Sequence, residues 1–592
     1  MVNICFYLAL AVAFLAGISC FSSKIKSSGY TIYVLVAGVF LSASIGFFPI
    51  YKDYFGGGEW ATLKSVFLSF HNAIRLFVID ADFTFVQDSS AITSTSLGTF
   101  YLAYMSVLFL IAPFFTFGFI LMFLRNLLSI IRYKLKFFKE IYVFSELNER
   151  SLAFAKDLKN NNKKRVIVFC DVFENNEEKS FELTDEAKKV GAICFKKDIV
   201  NVNFKFHSNG KPLCFFAIGE NPKENINQAI KIRANYGDVP NTHLYVFSGG
   251  RESELLLASS GSEKMKIRRV SEAQALINSD LYNNPKKIFS NCITTTERGD
   301  KKISAIVVGM GDYGLEMVKT LTWFCQMDGY FVDINAFDKS PSAEDYFKMQ
   351  CPEIMDEKYN GVYKEGEAYY KVKVYSDVDV ETKSFVDKIY QIKDASFVFV
   401  CLGSDEMNVK VASNLRMIFE RMGIKPIIQA VVYNTELATN LRGVTNYSGQ
   451  SYDIEFVGDF KSIYSESVII DSPLEDDALQ RHLKYGEEST FWQYEYNYRS
   501  SMASAIHMKA RIACGIEGAD KKEEELTSTE AKTIQVLEHR RWNAYMRAQG
   551  YIYSGSKDKS SRNNLGKMHH DLVEFEELSE EEKLKDKKVG TH

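Results

Sequence analysis

The chain has 592 residues and a formal net charge of −4, so nothing in its overall charge favours binding to nucleic acid. Hydrophobic residues make up 46% of the sequence, which is enough for several cores. The ten cysteines are scattered without a CxxC pair, which argues against a zinc site or a disulfide framework and favours reduced thiols.

Three uncharged stretches, residues 1–23, 27–51 and 101–124, predict membrane-spanning helices. Each is long enough, because a helix needs about 20 apolar residues to cross a hydrocarbon core about 30 Å thick. Positively charged flanks stay in the cytoplasm, and such residues follow the first and third stretches: Lys24, Lys26, Arg125, Arg132, Lys134, Lys136 and Lys139. We therefore expect a transmembrane domain over residues 1–138. It would be multi-pass in the lipid bilayer of the cell membrane, with the N-terminus outside and residues after 132 in the cytoplasm.

A shorter apolar stretch, "LKSVFLSFHNAIRLFVIDADF", covers residues 63–83 and is interrupted by His71 and Arg75. It fits either an amphipathic helix in the membrane interface, which is the preferred interpretation, or a re-entrant helix that lines a pore. Asp80 and Asp82 follow it. They either form an acidic ring that attracts cations in an oligomer or are solvated loop carboxylates.

Beyond residue 139, short runs rich in β-branched and aromatic residues alternate with helical stretches, which predicts doubly wound parallel sheets. The first such domain covers residues 139–290. Ser145, Asn148 and Ser151 stand where a dinucleotide-binding turn would carry glycines, although Asp171 ends the second strand like a ribose-binding acid. We interpret this domain as a degenerate Rossmann-like unit with a structural or dimerising role.

The second domain, residues 300–465, contains "AIVVGMGDYGLEMV" between a predicted strand and a predicted helix. Gly309 permits a tight turn, Gly311 lets a phosphate approach the backbone, and Gly314 lets the helix pack on the strand. The helix would direct its N-terminal N–H groups at the ligand.

Asp338 ends the second strand of this domain, 24 residues beyond Gly314, where an acid can hold the ribose hydroxyls of NAD. NAD or another adenine nucleotide is therefore the expected ligand, and the alternative is that the glycines serve packing alone. The candidate cofactor-binding residues are Gly309, Gly311, Asp312, Tyr313, Gly314, Asp338, Gly403 and Ser404.

Membrane spans followed by tandem Rossmann units resemble proteins with regulator-of-potassium-conductance domains, also called Trk-type NAD-binding domains. The resemblance covers residues 140 to about 450, and Gly309, Gly311, Gly314 and Asp338 carry it as a motif. It implies a homodimer or homotetramer in which nucleotides bias an ion channel or transporter. Residues 51–100 contain no TVGYG-like filter, so potassium selectivity is not implied.

The last part, residues 485–592, predicts a small helical domain that resembles the ryanodine-receptor repeat. The matching residues are Glu538, His539, Trp542, Gly550, Tyr551, His569, Leu572, Val573, Phe575, Leu578 and Ser579. Glu538, His539, Arg541 and Trp542 suggest a second ligand site, in which charge and stacking hold a phosphorylated nucleotide. The alternative is a helix whose tryptophan packs in the core and whose arginines are solvated. We expect no metal site, because His507, His539, His569 and His570 match no metal-binding spacing.

No catalytic constellation is present in the sequence, since it has no GxSxG elbow, HExxH motif or P-loop. The preferred function is a membrane protein whose cytoplasmic domains sense a nucleotide and gate or regulate ion passage. Two alternatives remain: a nucleotide-activated defence effector that disrupts membranes, and a membrane-bound NAD-dependent oxidoreductase.

Overall fold

The computed structural model describes residues 1–19, 31–136, 139–172, 178–204, 211–249, 264–356 and 369–591. The chain forms two compact units, residues 1–135 and 136–592. In the first unit the helices are α1 Val2–Ser19, α2 Thr31–Phe55, α3 Ala61–Phe77, α4 Thr84–Gln87, α5 Ser90–Thr93 and α6 Gly98–Lys134.

Three of the described helices are long and apolar enough to cross a membrane, and their apolar parts are Val2–Ser19, Val34–Phe55 and Gly98–Phe117. This confirms the prediction of three apolar helices. The predicted orientation stays a prediction. Two of the lysines on which it depends, Lys24 and Lys26, lie outside the described residues.

Helix α3 packs along α2 instead of lying apart from it. Small residues at four-residue spacing form the buried face of α3: Ala61, Ser65, Ser69 and Ala73. At one end Lys52 Nζ donates to Thr62 Oγ1 at 2.6 Å, and further along the rings of Phe40 and Phe70 stack at 5.7 Å. These two contacts show that the helices are antiparallel, and the small side chains of α3 allow the two backbones to approach closely.

The end of α3 lies deep along α6. Thr116, 18 residues after the first residue of α6, donates its hydroxyl to the Phe77 carbonyl at 2.8 Å. At 1.5 Å per residue this contact lies about 27 Å along the helix. The chain then returns, since the ring of Phe85 is 5.1 Å from that of Tyr51 near the end of α2. These contacts place α3 against α2 and α6, and whether it lies in the membrane interface or is re-entrant stays a prediction.

Two parallel sheets form the body of the second unit, which confirms the predicted α/β class with parallel sheets. Among the described residues, the first sheet has the order β3-β2-β1-β4-β5-β6. Its strands are β1 Ile141–Phe144, β2 Val166–Phe169, β3 Ile193–Cys194, β4 Leu213–Ala217, β5 Thr242–Phe247 and β6 Lys266–Val270. The central strands are buried along their whole length, as continuous apolar runs predict.

The second sheet has the parallel order β10-β9-β8-β11-β12-β15, with β7 antiparallel to β8. Its strands, with the separate β13–β14 hairpin, are β7 Thr294–Thr295, β8 Lys301–Val308, β9 Tyr330–Phe337, β10 Tyr370–Tyr375, β11 Phe397–Val400, β12 Ile427–Val431, β13 Asn446–Tyr447, β14 Gln450–Ser451 and β15 Ile454–Val457. Strand order reverses beside β1 and beside β8, and in such sheets the carboxyl ends of the strands at the reversal form a crevice.

Helices connect the strands and continue to the C-terminus. They are α7 Glu149–Asn161, α8 Glu178–Lys189, α9 Pro222–Tyr236, α10 Glu272–Asn283, α11 Asp312–Phe324, α12 Ala343–Gln350, α13 Lys383–Gln391, α14 Asp405–Met422, α15 Thr435–Arg442, α16 Phe460–Ile463, α17 Glu466–Ile469, α18 Pro473–His482, α19 Glu488–Gln493, α20 Glu495–Cys514, α21 Ser528–Ala548 and α22 Glu580–Gly590. Short 3-10 turns lie at Ile199–Asn201, Lys287–Phe289, Glu523–Glu525, Lys559–Ser561 and Phe575–Glu577, and β16 Ile552–Tyr553 pairs with β17 Met568–His569.

The C-terminal helices share a hydrophobic core with both sheets. In this core the ring of Trp323 on α11 meets that of Tyr545 on α21 edge to face at 5.8 Å. Nearby, Arg547 Nε lies 2.9 Å from Glu353 Oε2, with the arginine fully buried. The domain boundaries predicted at residues 290, 300, 465 and 485 therefore stay predictions, since the packing continues across them.

The path of α3 predicts a low accessibility of its polar face in a membrane. In full-length protein reconstituted into vesicles, a cysteine at His71 should react with a membrane-impermeant maleimide at least about tenfold more slowly than one at Glu59. His71 lies in the second half of a descending helix, whereas Glu59 is exposed just before its start. Equal labelling rates at the two positions would contradict this prediction, because they are expected of an interfacial helix or of one whose polar face lines a water-filled path.

Candidate functional site

Two glycines of the turn after β8 are required by the fold itself. Gly309 has φ +97°, and a Cβ there would lie 2.6 Å from the carbonyl oxygen of Cys401. A Cβ on Gly314 would lie 1.7 Å from the carbonyl oxygen of Gly309. Only glycine fits at such distances, so these two residues bring α11 onto the end of β8.

Gly311 is different, because a Cβ there would meet nothing within 4 Å. Its backbone is extended, and it stands at the N-cap of α11 without a side chain to accept the first N–H groups of the helix. Those N–H groups are free of intrahelical partners, and they carry the positive end of the helix dipole. Since packing gives no reason for glycine here, the space in front of Gly311 suits an approaching ligand.

Asp338 lies where the sequence predicts an acid, directly after β9. One of its carboxylate oxygens accepts from the Met310 N–H at 2.6 Å, and the other accepts from the Ser340 N–H at 2.7 Å. The side chain thus ties the glycine turn to the end of the neighbouring strand. It already has a structural role before any ribose is considered.

These residues line a cavity of about 940 Å³ at the carboxyl ends of β8, β9 and β11, which we call the sheet-edge cavity. Seven of the eight predicted cofactor-binding residues line it: Gly309, Gly311, Asp312, Tyr313, Asp338, Gly403 and Ser404. Gly314 does not, because it is buried under the turn. The volume is within the range of small-molecule and cofactor sites.

Other elements complete the sheet-edge cavity, and sequence reasoning did not find them. They include residues of the first sheet's helices, of the segment after β12 and of the start of α16: Glu149, Arg150, Glu272, Tyr433, Asn434 and Phe460. Arg150 Nε lies 2.5 Å from Glu272 Oε1, and its guanidinium lies 5.2 Å from the Phe460 ring. No local motif marks these residues, because tertiary packing alone brings them to the turn.

The sheet-edge cavity is strongly acidic. Among the described residues that line it, seven carboxylates face two cationic side chains, Arg150 and Lys339. Some of this charge is held by backbone N–H groups, as when Asp405 accepts from Tyr433 at 2.8 Å and from Asn434 at 3.0 Å. Even so, a highly charged anion would be repelled, and helix N-termini offset only about half a charge each.

The corresponding edge of the first sheet is filled by side chains. Ser145 Oγ accepts from the Ile218 N–H at 2.9 Å, and Asn148 caps α7 while donating to the Ile218 carbonyl at 2.9 Å. Burial, together with Asp198, raises the pKa of Asp171. These contacts give the non-glycine residues a packing role at the turn where a nucleotide-binding unit would carry glycines.

A second cavity of about 940 Å³ lies among the C-terminal helices, and we call it the C-terminal cavity. All four residues of the predicted second ligand site line it: Glu538, His539, Arg541 and Trp542. They lie on α21, and residues of α18, α20, α22 and the loop around β17 enclose the other sides.

Buried charges hold α21 in place. Glu538 binds the guanidinium groups of Arg511 and Arg541, and all three side chains are almost fully buried. Burial alone would raise the pKa of Glu538, but Arg541 and Arg511 outweigh it and hold that pKa at about 2. The alternative in which the α21 arginines are solvated is therefore wrong, because Arg540, Arg541 and Arg547 are all buried.

The histidines of the C-terminal region fall into two places. His507 is buried beside α11, with Nε2 2.9 Å from the Gln326 carbonyl oxygen. His539 lies at the C-terminal cavity, with Nε2 2.9 Å from the Val573 carbonyl oxygen. His569 and His570 stack at 4.8 Å, and with Asp571 they offer ligand atoms within 4.8 Å of one another. These three residues have the geometry to hold a cation, which their sequence spacing does not indicate.

Comparison with known proteins adds no identity to this geometry. The sequence matches no protein-family model, and no curated protein is significantly similar to it. The interpretation of both cavities therefore rests on the residues themselves.

The surroundings of Gly314 and Gly311 predict very different effects of an added methyl group on stability. Gly314→Ala should lower the free energy of unfolding by about 3 kcal/mol or more, because its methyl would overlap the rigid Gly309 carbonyl. Gly311→Ala adds the same methyl to open space and should change stability by less than about 0.5 kcal/mol. Denaturant unfolding of the solubilised full-length protein measures both, and equal effects would contradict this account.

The buried charge of Glu538 yields a further prediction. Glu538→Gln should destabilise the protein by about 3–5 kcal/mol, since it leaves two buried guanidinium groups without their carboxylate. The folded-state pKa is lowered to about 2, so the contribution is complete at neutral pH and is lost only as the pH falls toward that value. In the control, Glu577→Gln removes an exposed ion pair with Lys557 and should cost less than about 1 kcal/mol.

Proposed function

We propose that this protein is a nucleotide-responsive membrane protein, in which ligand binding at the sheet-edge cavity regulates ion passage through the helical unit. In this proposal both parallel sheets are Rossmann-type units of the regulator-of-potassium-conductance kind, and the last helices are a ryanodine-receptor-repeat-like domain. The second unit is cytoplasmic, and the protein works as a homodimer or homotetramer.

The open space at Gly311 carries the proposal. Packing explains Gly309 and Gly314, because a Cβ there would lie only 2.6 Å and 1.7 Å from a backbone carbonyl oxygen. At Gly311 a Cβ would meet nothing, and this residue faces the cavity at the start of α11. A pyrophosphate placed there would accept hydrogen bonds from the N-terminal N–H groups of the helix. Asp338 lies beside the turn, directly after the second parallel strand of the sheet, where dinucleotide-binding units carry the acid that binds a ribose hydroxyl.

The charge of the sheet-edge cavity narrows the class of ligand. Seven carboxylates against two cations, among the described lining residues, would repel a nucleoside triphosphate strongly. Oxidised NAD carries less negative charge, because its nicotinamide cation offsets part of the pyrophosphate. Its nicotinamide end would also be attracted by the carboxylates. We therefore favour NAD over NADP or ATP at this site.

The course of α3 within the helical unit supports a role of that unit in ion passage. Helix α3 runs beside two apolar helices, and the segment after it returns along them. Within a membrane, such a non-helical segment is tolerated only where protein covers it or where it lines a water-filled path. Within the described residues, Asp80 is bound to Arg75 at 2.9 Å and Asp82 accepts from Thr84. The acidic-ring alternative therefore gains no support from these contacts, and ion selectivity is not part of the proposal.

The proposal predicts that NAD stabilises the solubilised full-length protein and that Gly311→Val abolishes this effect. A ligand that binds only the folded state stabilises it by RT ln(1 + L/Kd) at a free ligand concentration L, so the unfolding temperature rises further as the NAD concentration exceeds the dissociation constant. The valine would occupy the space for the pyrophosphate, and affinity should fall about a hundredfold or more, equivalent to about 3 kcal/mol. The protein without ligand should keep wild-type stability, because a Cβ at Gly311 meets no neighbour within 4 Å.

The same variant tests the coupling to the membrane. Ion flux through vesicles containing wild-type protein should change when NAD is present on the side of the second unit, and vesicles with Gly311→Val should show no such change. Reduction of NAD by added substrates, measured by nicotinamide absorbance, would instead favour the oxidoreductase alternative. An unfolding temperature that no adenine nucleotide shifts at millimolar concentration would contradict the proposal.

A further inference from the structure

Two buried side chains at the C-terminal cavity carry nitrogen atoms that lack a hydrogen-bond partner among the described residues. Arg541 is 1% exposed, and its Nη1 donates to no atom of the described protein. His570 is 6% exposed, and neither of its ring nitrogens makes a hydrogen bond within the described residues, although Nε2 lies 3.3 Å from Asp571 Oδ2. A buried polar group without a partner costs about 1–3 kcal/mol, so each such group in a folded protein needs an explanation.

The two groups come from separate elements and line the same cavity. Arg541 is in the middle of α21, and His570 directly follows β17. The rest of the Arg541 guanidinium is fixed, since Nε and Nη2 donate to Glu538 Oε1 at 3.3 Å and 2.8 Å. The His570 ring is fixed by its stack on His569, with an angle of 9° between the rings. Arg541 Nη1 and the His570 ring are therefore held in place, and their missing hydrogen bonds do not result from loose side chains.

The charge of this cavity differs from that of the sheet-edge cavity. Among the described residues that line it, five cationic side chains balance five carboxylates. Two of those carboxyl groups are weaker acids than usual, because burial raises the pKa of Asp571 and of Asp586. Arg562 adds a cation at the rim, with its guanidinium 5.0 Å from the Tyr496 ring. An anion is thus much less strongly repelled here than at Gly311.

We propose that the C-terminal cavity is a second, separate site that binds the phosphate group of a small molecule through Arg541 Nη1 and the His570 ring. Phosphate oxygens accept several hydrogen bonds at once, and hydrogen bonds from charged donors are about twice as strong as neutral ones. The half-buried Trp542 ring is part of the same wall and offers a flat surface to a base or another planar group.

Calorimetric titration of the solubilised full-length protein with inorganic pyrophosphate, ATP and adenosine, all with EDTA present, tests this site. We expect pyrophosphate and ATP to bind with similar affinity if the phosphate alone is recognised, and ATP to bind more tightly if Trp542 stacks on the base. Adenosine should bind at least about tenfold more weakly than ATP. Repeating the titrations in Gly311→Val protein separates the two sites, since that substitution should leave these affinities unchanged.

Two variants and one matched control identify the residues. Arg541→Lys keeps a positive charge beside Glu538 but removes Nη1, and His570→Phe keeps the ring stack but removes both nitrogens. Each should weaken binding about tenfold or more, as expected for the loss of a charge-assisted hydrogen bond. The control, Arg540→Lys, should not weaken binding. Arg540 is the neighbouring residue on α21 and is also buried, but its guanidinium lies 3.8 Å from the Tyr369 ring. It is not among the described residues that line the cavity.

The proposal is overturned if neither phosphate compound binds, if binding survives both variants, or if Arg540→Lys weakens it to the same degree. Tight binding of Zn²⁺ in a separate titration without EDTA, together with no binding of pyrophosphate or ATP, would also overturn it and assign His569, His570 and Asp571 to a metal. Failure of NAD to bind at the sheet-edge cavity leaves these outcomes unaffected, because no residue of that cavity takes part.

Discussion

The contact between Gly314 and the Gly309 carbonyl is the constraint on which the arrangement of the second unit depends. It leaves no room for any side chain and so fixes the first turn of α11 against the end of β8. The same helix is buried along most of its length, and Trp323 near its end packs on Tyr545 of α21. One helix therefore starts at the sheet-edge cavity and ends against the helix that carries Arg541.

This continuity gives the two cavities a common mechanical element. Protein interiors are close-packed, and a small displacement at one end of a rigid element is transmitted to its neighbours. The first turn of α11 borders the sheet-edge cavity, and the last turn contacts the core that holds α21. A shift of α11 on ligand binding is thus the simplest physical route by which the proposed sites would influence one another, provided that the ligand binds two positions of the helix with different affinity.

Much of the fold could be predicted from the sequence. The same holds for those cavity-lining residues that belong to a single local motif in each cavity. Uncharged stretches predicted the three apolar helices, and buried apolar runs predicted the parallel strands. The turn from Gly309 to Gly314 and the acid at Asp338 could be placed because their spacing has a direct physical reason.

Features that depend on tertiary packing could not be predicted. Arg150 and Phe460 reach the sheet-edge cavity from distant parts of the chain. Arg541 is buried because it pairs with Glu538, which also binds Arg511 from another helix, and the local sequence alone left a ligand site and a solvated cluster as equal alternatives. The path of α3 depends on its small-residue face, which is a weak signal beside the polar residues His71 and Arg75.

The two hydrogen bonds of Asp338 also bear on how firmly the sheet-edge cavity can hold a ligand. Both carboxylate oxygens already accept backbone N–H groups, from Met310 and Ser340. A ribose hydroxyl that binds Asp338 has to share or replace these donors, so its recognition is largely an exchange of hydrogen bonds and contributes little net free energy. If the proposed nucleotide binds here, such a site would release it readily, and its occupancy would follow the surrounding concentration. The geometry would then suit a reversible signal and not a permanently held cofactor.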